Sequence, residues 1–137
     1  MNPEPNKPLK ILIICRGASG SGKSTLAKTL AKAYNAAGPF EADDYMVNDK
    51  CEYKFDPSRL RECHHRCRQA VEMAMQREEE YIIQSNTNTT HKETLPYFAL
   101  ALKYGYEVQE IILKANFGNV HGVPPEKIEQ MKARFQY

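Results

Sequence analysis

The chain has 137 residues, a length that accommodates one domain with a sizeable hydrophobic core and leaves little room for a second. Its 19 Lys and Arg residues against 17 Asp and Glu give a formal charge of +2, so contact with nucleic acid would depend on a local basic patch. No apolar stretch approaches a membrane span of roughly 20 residues, and the first eight residues lack the apolar core of a signal peptide, which predicts a cytoplasmic protein. We expect residues 1–8 to be a short disordered lead and residues 9–137 to form a single domain.

The first predicted element is a β-strand over residues 11–15, because ILIIC is an uninterrupted apolar run. It leads into residues 17–25, GASGSGKST, which fit the phosphate-binding pattern G-x-x-x-x-G-K-[ST]. Such glycines let backbone N–H groups point inward, and the positive end of the following helix faces the same point. Lys23 can reach the β- and γ-phosphates of a nucleotide, and the Ser24 hydroxyl is a hard oxygen ligand for the accompanying Mg²⁺. The expected nucleotide-binding residues are Ser19, Gly20, Ser21, Gly22, Lys23, Ser24 and Thr25.

The segment after the first helix is predicted to carry a catalytic carboxylate. Apolar spacing predicts a helix over residues 23–37, stopped by the Gly-Pro pair at 38–39, and then a very short strand over residues 40–45. Adjacent side chains of an extended chain point to opposite sides, so Asp43 can face the cleft as a general base while Asp44 turns toward the loop or a metal-bound water. The alternative for each is an aspartate that caps a turn or helix. Residues 46–57 are predicted to form a loop over the site.

A long helix is predicted over residues 59–80, and its thiols bear on whether zinc is expected. Cys63 and Cys67 are spaced like metal ligands, but no second Cys/His pair completes a zinc site. We therefore expect reduced, buried thiols and no structural zinc. The apolar stripe expected to face the core comprises Leu60, Cys63, Cys67, Val71 and Ala74. Four arginines near the start of the helix form a positive field that either contacts polynucleotide phosphates or is simply solvated: Arg59, Arg61, Arg66 and Arg68.

The second half of the chain continues the alternation of strand and helix. Residues 81–84 predict a strand, and in the polar segment that follows, Asn86 and Asn88 either read a ribose or base of an acceptor or cap the next helix. Further predictions are a helix over residues 91–104, a strand over 106–113 and a final helix opened by prolines at 124 and 125. This order predicts an α/β domain of three layers, a small parallel sheet of about four strands flanked by helices, with ligands beyond the carboxyl ends of the strands.

The motifs together resemble the small P-loop kinases related to polynucleotide 5′-hydroxyl kinase, within the zeta-toxin-like and AAA-like P-loop kinase group. The residues that carry the resemblance are the loop at 17–25, DDY at 43–45, NTN at 86–88, GYEV at 105–108 and HGVP at 121–124. The resemblance implies a P-loop NTPase fold and transfer of the γ-phosphate of ATP to a hydroxyl, often the 5′ end of DNA or RNA. It also implies that Asp43 is the general base and that ATP and Mg²⁺ are the cofactors.

The chain departs from that family at three positions. Met46 and Gly118 stand where the family carries arginines that contact phosphate, and Ser85 stands where it usually has an aspartate. Lys114 and His121 are the candidate lid residues in place of the missing lid arginine. These departures leave two alternatives open. One is an ATP-binding module or switch with little catalysis, and the other is a kinase that acts on a modified base, a nucleoside or another small molecule.

Overall fold

A computed structural model describes residues 8–18, 20–114 and 125–137. Its four strands form one parallel sheet in the order β2-β3-β1-β4, which confirms the predicted sheet. The strands are β1 Ile11–Arg16, β2 Ala37–Phe40, β3 Tyr81–Gln84 and β4 Glu107–Ile112. The helices are α1 Lys23–Tyr34, α2 Leu60–Gln76, α3 His91–Tyr104 and α4 Pro125–Arg134, and short 3-10 helices cover Ala42–Tyr45 and Pro57–Arg59.

The two faces of β1 are buried by different helices, which makes the domain three layers thick. Leu12 and Ile14 join a core cluster with buried residues of α2 and α3, whereas Ile11 and Ile13 join a second cluster with Ala27 of α1. A central strand buried on both faces reads as a continuous apolar run in sequence, which is why β1 was predictable.

The region between α1 and α2 differs from the prediction. α1 ends at Tyr34 because Asn35 adopts a left-handed conformation (φ 52°) and its N–H donates to the carbonyl of Ala31. The Gly-Pro pair at 38–39 does not stop a helix but lies within β2, which is an edge strand and therefore tolerates proline. Likewise, the strand predicted over residues 40–45 is wrong, because β2 ends at Phe40 and a 3-10 helix follows.

The predicted core stripe of α2 is confirmed except at its first member. Cys63, Cys67, Val71 and Ala74 are fully buried, but Leu60 is 38% exposed because α2 begins there, at the edge of the packed region. Near the chain end, α4 stops at Arg134, so Phe135 lies beyond the helix.

Several predictions concern residues outside the described ranges. These are most of the N-terminal lead (residues 1–7), Ser19 of the loop, Gly118, and the candidate lid residue His121. Within the described ranges, no helix is both long and apolar enough to cross a lipid bilayer.

Candidate active site

The phosphate-binding loop connects the carboxyl end of β1 to α1. Gly20 and Gly22 have φ values of 86° and 87°, a left-handed conformation that glycine adopts without steric cost. Gly17 is fixed from the other side of the cleft, since its N–H donates to the carbonyl of Thr87 at 3.1 Å. A Cβ on Gly17 would lie 2.6 Å from Ser21 Oγ and 3.2 Å from the carbonyl of Leu113, so a side chain there would require Ser21 to move. Glycine at these three positions leaves the loop backbone without side chains.

Two features of the loop fit an anionic ligand. Ser21 Oγ is buried and has no hydrogen-bond partner among the described residues. The first turn of α1 has no side-chain cap within the same part of the chain, so its N–H groups face outward from a positive helix end. Buried donors without partners are costly unless a ligand satisfies them, and a nucleotide phosphate supplies the required acceptor oxygens.

Lys23 reaches from the loop to the end of β3. Its Nζ donates to the backbone carbonyl of Ser85 at 2.5 Å. Burial lowers the pKa of Lys23, and the charges of Glu41 and Asp43 oppose that effect. The lysine thus reaches the end of β3 and lies within the electrostatic influence of two carboxylates.

Glu41 is a site residue that the sequence analysis did not identify. Its Oε1 accepts the hydroxyl of Ser85 at 2.6 Å and lies 3.4 Å from Ser24 Oγ, the predicted metal ligand. Sequence reasoning missed it because it extended β2 to residue 45. The available signal was an acidic residue directly after the Pro-Phe end of a short strand.

Asp43 and Asp44 lie on the 3-10 helix and not in extended chain, so the argument from strand alternation does not apply to them. Both are exposed. The negative charge of Asp43 acts on Lys23 and on His64 of α2. The pKa of His64 is lowered mainly by burial, and the charges of Glu93 and, to a smaller extent, Asp43 oppose that shift. For Asp44, burial together with the nearby Glu41 raises the pKa. Of the two aspartates, Asp43 is therefore the one whose field acts on the phosphate-loop lysine, alongside the larger effect of Glu41.

Asn86 fixes the helix that carries these carboxylates. Its Oδ1 accepts the backbone N–H of Ala42 at 2.7 Å, and its Nδ2 lies 3.4 Å from the hydroxyl of Tyr97 and 3.7 Å from Cys67 Sγ. The side-chain amide of this predicted acceptor-side residue is thus engaged by the fold. The hydrogen bond to Ala42 holds the first residue of the 3-10 helix that carries Asp43.

Asn88 lies inside the domain. Its Nδ2 donates to the carbonyls of Asn86 (2.8 Å) and Cys15 (3.1 Å) and to Gln84 Oε1 (2.7 Å), and its Oδ1 accepts from Gln84 Nε2 at 3.0 Å. The residue is 2% exposed with φ 52°. These contacts tie the end of β1 to the end of β3.

The chain end covers the other side of the loop. Arg16, buried at the end of β1, donates to the carbonyls of Asn88 and Gln136 and lies 5.0 Å from the ring centre of Phe135. A cavity of about 210 Å³ lies between this segment and the loop, lined by Ala18, Ser21, Lys114, Lys132, Phe135 and Tyr137. Lys114, the described lid candidate, lies with its Nζ 4.7 Å from the ring centre of Tyr137.

The predicted arginine cluster on α2 does not act as one patch. Arg59 donates to the carbonyls of Val47 (2.6 Å) and Tyr45 (3.1 Å), so it holds the loop after the 3-10 helix. Arg66 pairs with Glu62 at 3.3 Å. The positive field of the helix start is thus partly neutralised.

The chain belongs to a known family, because residues 12–120 match the family model of the AAA domain AAA_33. It is 32% identical over 139 aligned residues to human NEDD4-binding protein 2, covering 92% of this chain and 8% of that protein. The chain therefore spans only a small part of this curated relative.

Solved structures with the same fold include kinases. A chain of the Pnkp1/Rnl/Hen1 RNA repair complex aligns with a TM-score of 0.65 at 17% identity, over 93% of this chain and 38% of that one. A gluconokinase from Sinorhizobium meliloti 1021 aligns with a TM-score of 0.65 at 12% identity, over 96% of this chain and 78% of that one. The fold is therefore that of the P-loop kinases, as the sequence motifs predicted.

Proposed function

We propose that this chain is an ATP- and Mg²⁺-dependent kinase that transfers the γ-phosphate of ATP to a hydroxyl group, with a polynucleotide 5′-hydroxyl as the acceptor. The observation that carries the proposal is that the 3-10 helix after β2 holds Asp43 at the same sheet edge as the phosphate-binding loop, where its negative charge acts on Lys23. A protein that only binds nucleotide has no need of a carboxylate facing the γ-phosphate. Such an enzyme would work in the cytoplasm.

Each residue has a role that its geometry supports. The bare loop and the first turn of α1 bind the phosphates, and Lys23 leaves the Ser85 carbonyl to contact the β- and γ-phosphates. Ser24 holds Mg²⁺, which when bound neutralises charge on the phosphate oxygens. Asp43 accepts the proton of the acceptor hydroxyl while the oxygen of that hydroxyl bonds to the γ-phosphorus. The bond between the γ-phosphorus and the oxygen that bridges it to the β-phosphate breaks, which releases ADP.

The choice of a polynucleotide acceptor rests on two further observations. The chain shares its fold with part of an RNA repair complex, and α2 carries the basic side chains Arg61, His65 and Arg68, of which the last two line a groove with α3. Cations at such positions contact backbone phosphates without reading sequence. The likeness to a gluconokinase is the reason to include small hydroxyl compounds in the test.

The test is transfer of labelled γ-phosphate from ATP to 5′-hydroxyl DNA and RNA oligonucleotides, with nucleosides and gluconate as competing acceptors. Asp43→Asn is expected to lower transfer about 10²–10⁴-fold with ATP affinity retained, because it removes only the base. Lys23→Ala is expected to lower both binding and transfer. Asp49→Asn, which removes an exposed carboxylate of the neighbouring loop, is the matched control. Tight ATP binding without transfer to any acceptor would instead support a nucleotide-binding module.

A further inference from the structure

β3, one of the two strands that pair with β1, is followed by a segment without charged residues. P-loop NTPases hold Mg²⁺ with the loop Ser or Thr and with an acidic residue outside the loop. Here β3 ends at Gln84, and the segment that follows, residues 85–90, is entirely neutral. The carboxylate that the cation site requires must therefore come from another element.

Glu41 lies where such a carboxylate is needed. It directly follows β2, which pairs with β3, so its side chain reaches the same edge of the sheet. A single oxygen, Oε1, lies 2.6 Å from Ser85 Oγ and 3.4 Å from Ser24 Oγ, and therefore joins the end of β3 to the phosphate-binding loop. The neutral hydroxyl of Ser85 makes this possible, because a carboxylate at that position would repel Glu41.

The local charge balance supports a cation at this point. Both Glu41 and Asp43 act on Lys23 with negative charge, whereas Lys114 and Lys132 line the cavity on the other side of the loop. On the Glu41 side, the two carboxylates oppose the binding of a triphosphate unless a divalent cation compensates. The described residues contain no group of three or more His, Cys, Asp or Glu side chains able to hold a metal alone. One hydroxyl and one carboxylate, completed by substrate phosphates, is the arrangement in which proteins commonly hold Mg²⁺.

We propose that Glu41, acting with Ser24, positions the divalent cation of the nucleotide complex. Glu41 thus supplies the carboxylate that the segment after β3 lacks. This inference rests on the proposed function, since it assumes a nucleotide at the loop. It predicts that the cation binds tightly only together with nucleotide.

The test measures cation binding directly, by Mn²⁺ electron paramagnetic resonance in the presence of ADP and by calorimetric titration of ADP with and without Mg²⁺. In Glu41→Gln, which keeps size and hydrogen bonding, Mn²⁺ affinity is expected to fall about 10–100-fold. ADP affinity without metal should be unchanged or higher, because a negative charge has been removed. Glu52→Gln, an exposed carboxylate of the following loop, is the matched control and should bind as the wild type.

A double substitution moves the carboxylate to the other strand. Glu41→Ser with Ser85→Asp keeps one carboxylate and one hydroxyl at the same edge, so it should recover most of the Mn²⁺ affinity that Glu41→Gln loses. Wild-type affinity in Glu41→Gln would overturn the inference, as would equal ADP affinity with and without Mg²⁺ in the wild type. Thermal melts establish that each variant is folded.

The two proposals fail in different ways. If the wild type binds no ADP under any condition, both are refuted. If it binds ADP with Mg²⁺ and transfers phosphate, while Glu41→Gln keeps full Mn²⁺ affinity, only the role of Glu41 is refuted. If Glu41→Gln loses Mn²⁺ affinity but no acceptor is phosphorylated, the role of Glu41 stands and the kinase proposal fails.

Discussion

Replacement of Asn88 by alanine separates an acceptor-binding role from a structural one. The side chain is 2% exposed, and its amide contacts the carbonyls of Cys15 and Asn86 and both polar atoms of the Gln84 amide. Alanine would leave Gln84 Nε2 and at least one carbonyl buried without a partner, at about 1–3 kcal/mol for each group. Alanine would also lack the polar side chain that lets asparagine adopt the left-handed conformation at φ 52°, which adds about 1 kcal/mol. The expected loss in the free energy of unfolding is therefore about 3–7 kcal/mol.

The assay is thermal and urea denaturation of Asn88→Ala and Asn88→Gly, with Thr87→Ala from the same segment as the control. Asn88→Ala should lower Tm by roughly 10–30 °C, and Asn88→Gly should be the less damaging because glycine accepts the left-handed backbone. A melting point within about 2 °C of the wild type, combined with a raised KM for the acceptor, would refute the reasoning and assign Asn88 to the acceptor.

Two more predictions concern groups at the end of β1. Burial raises the pKa of Cys15 to about 11 from the usual 9.0, because the folded state disfavours the thiolate. The stability that the neutral thiol contributes to the folded state is therefore lost as the pH rises from 9 to 11. Urea denaturation should show the advantage of the wild type over Cys15→Ala shrinking by about 2–3 kcal/mol across that window, and a constant difference would contradict it. Arg16→Met should cost about 2–4 kcal/mol, since the Asn88 and Gln136 carbonyls lose a charged donor. It should also speed proteolysis at the C-terminal segment, whereas unchanged cleavage would show that Arg16 does not secure it.

The sequence was sufficient where one strong local pattern decided the structure. The apolar run of β1, the nine-residue loop motif and the opening of α1 were predictable because a strand buried on both faces and a phosphate-binding loop each have a distinctive composition. β2 was misplaced because it is a four-residue edge strand containing Gly-Pro, which reads as a helix stop when its neighbours are unknown. That error displaced the end of the strand and hid Glu41.

Other features depend on contacts that no local pattern encodes. Arg16 and Gln136 are 120 positions apart in sequence, and their hydrogen bond exists only because the chain returns past α4 to the end of β1. Judged from residue type alone, the amide of Asn88 could equally cap a helix, bind a ligand or donate to buried carbonyls. Only the positions of Gln84 and Cys15 around it distinguish these roles. The roles of Lys23, Ser24 and Asp43 remain predictions that the proposed assays address.

The segments that follow β2 and β3 have different roles in the site. The segment after β3 is neutral and largely buried, and Asn86 and Asn88 use their amides to fix the backbone of neighbouring elements. The segment after β2 carries the charges, and Asn86 holds it in place through Ala42. Mutations of Asn86 and Asn88 should therefore change stability, or alter the chemistry only by displacing the 3-10 helix. Mutations of Glu41 and Asp43 should change metal binding and proton transfer while leaving the fold intact. If the proposed acceptor reaches Asp43, we expect it to pass α2 and the loop that Arg59 holds, because α2 packs against the 3-10 helix.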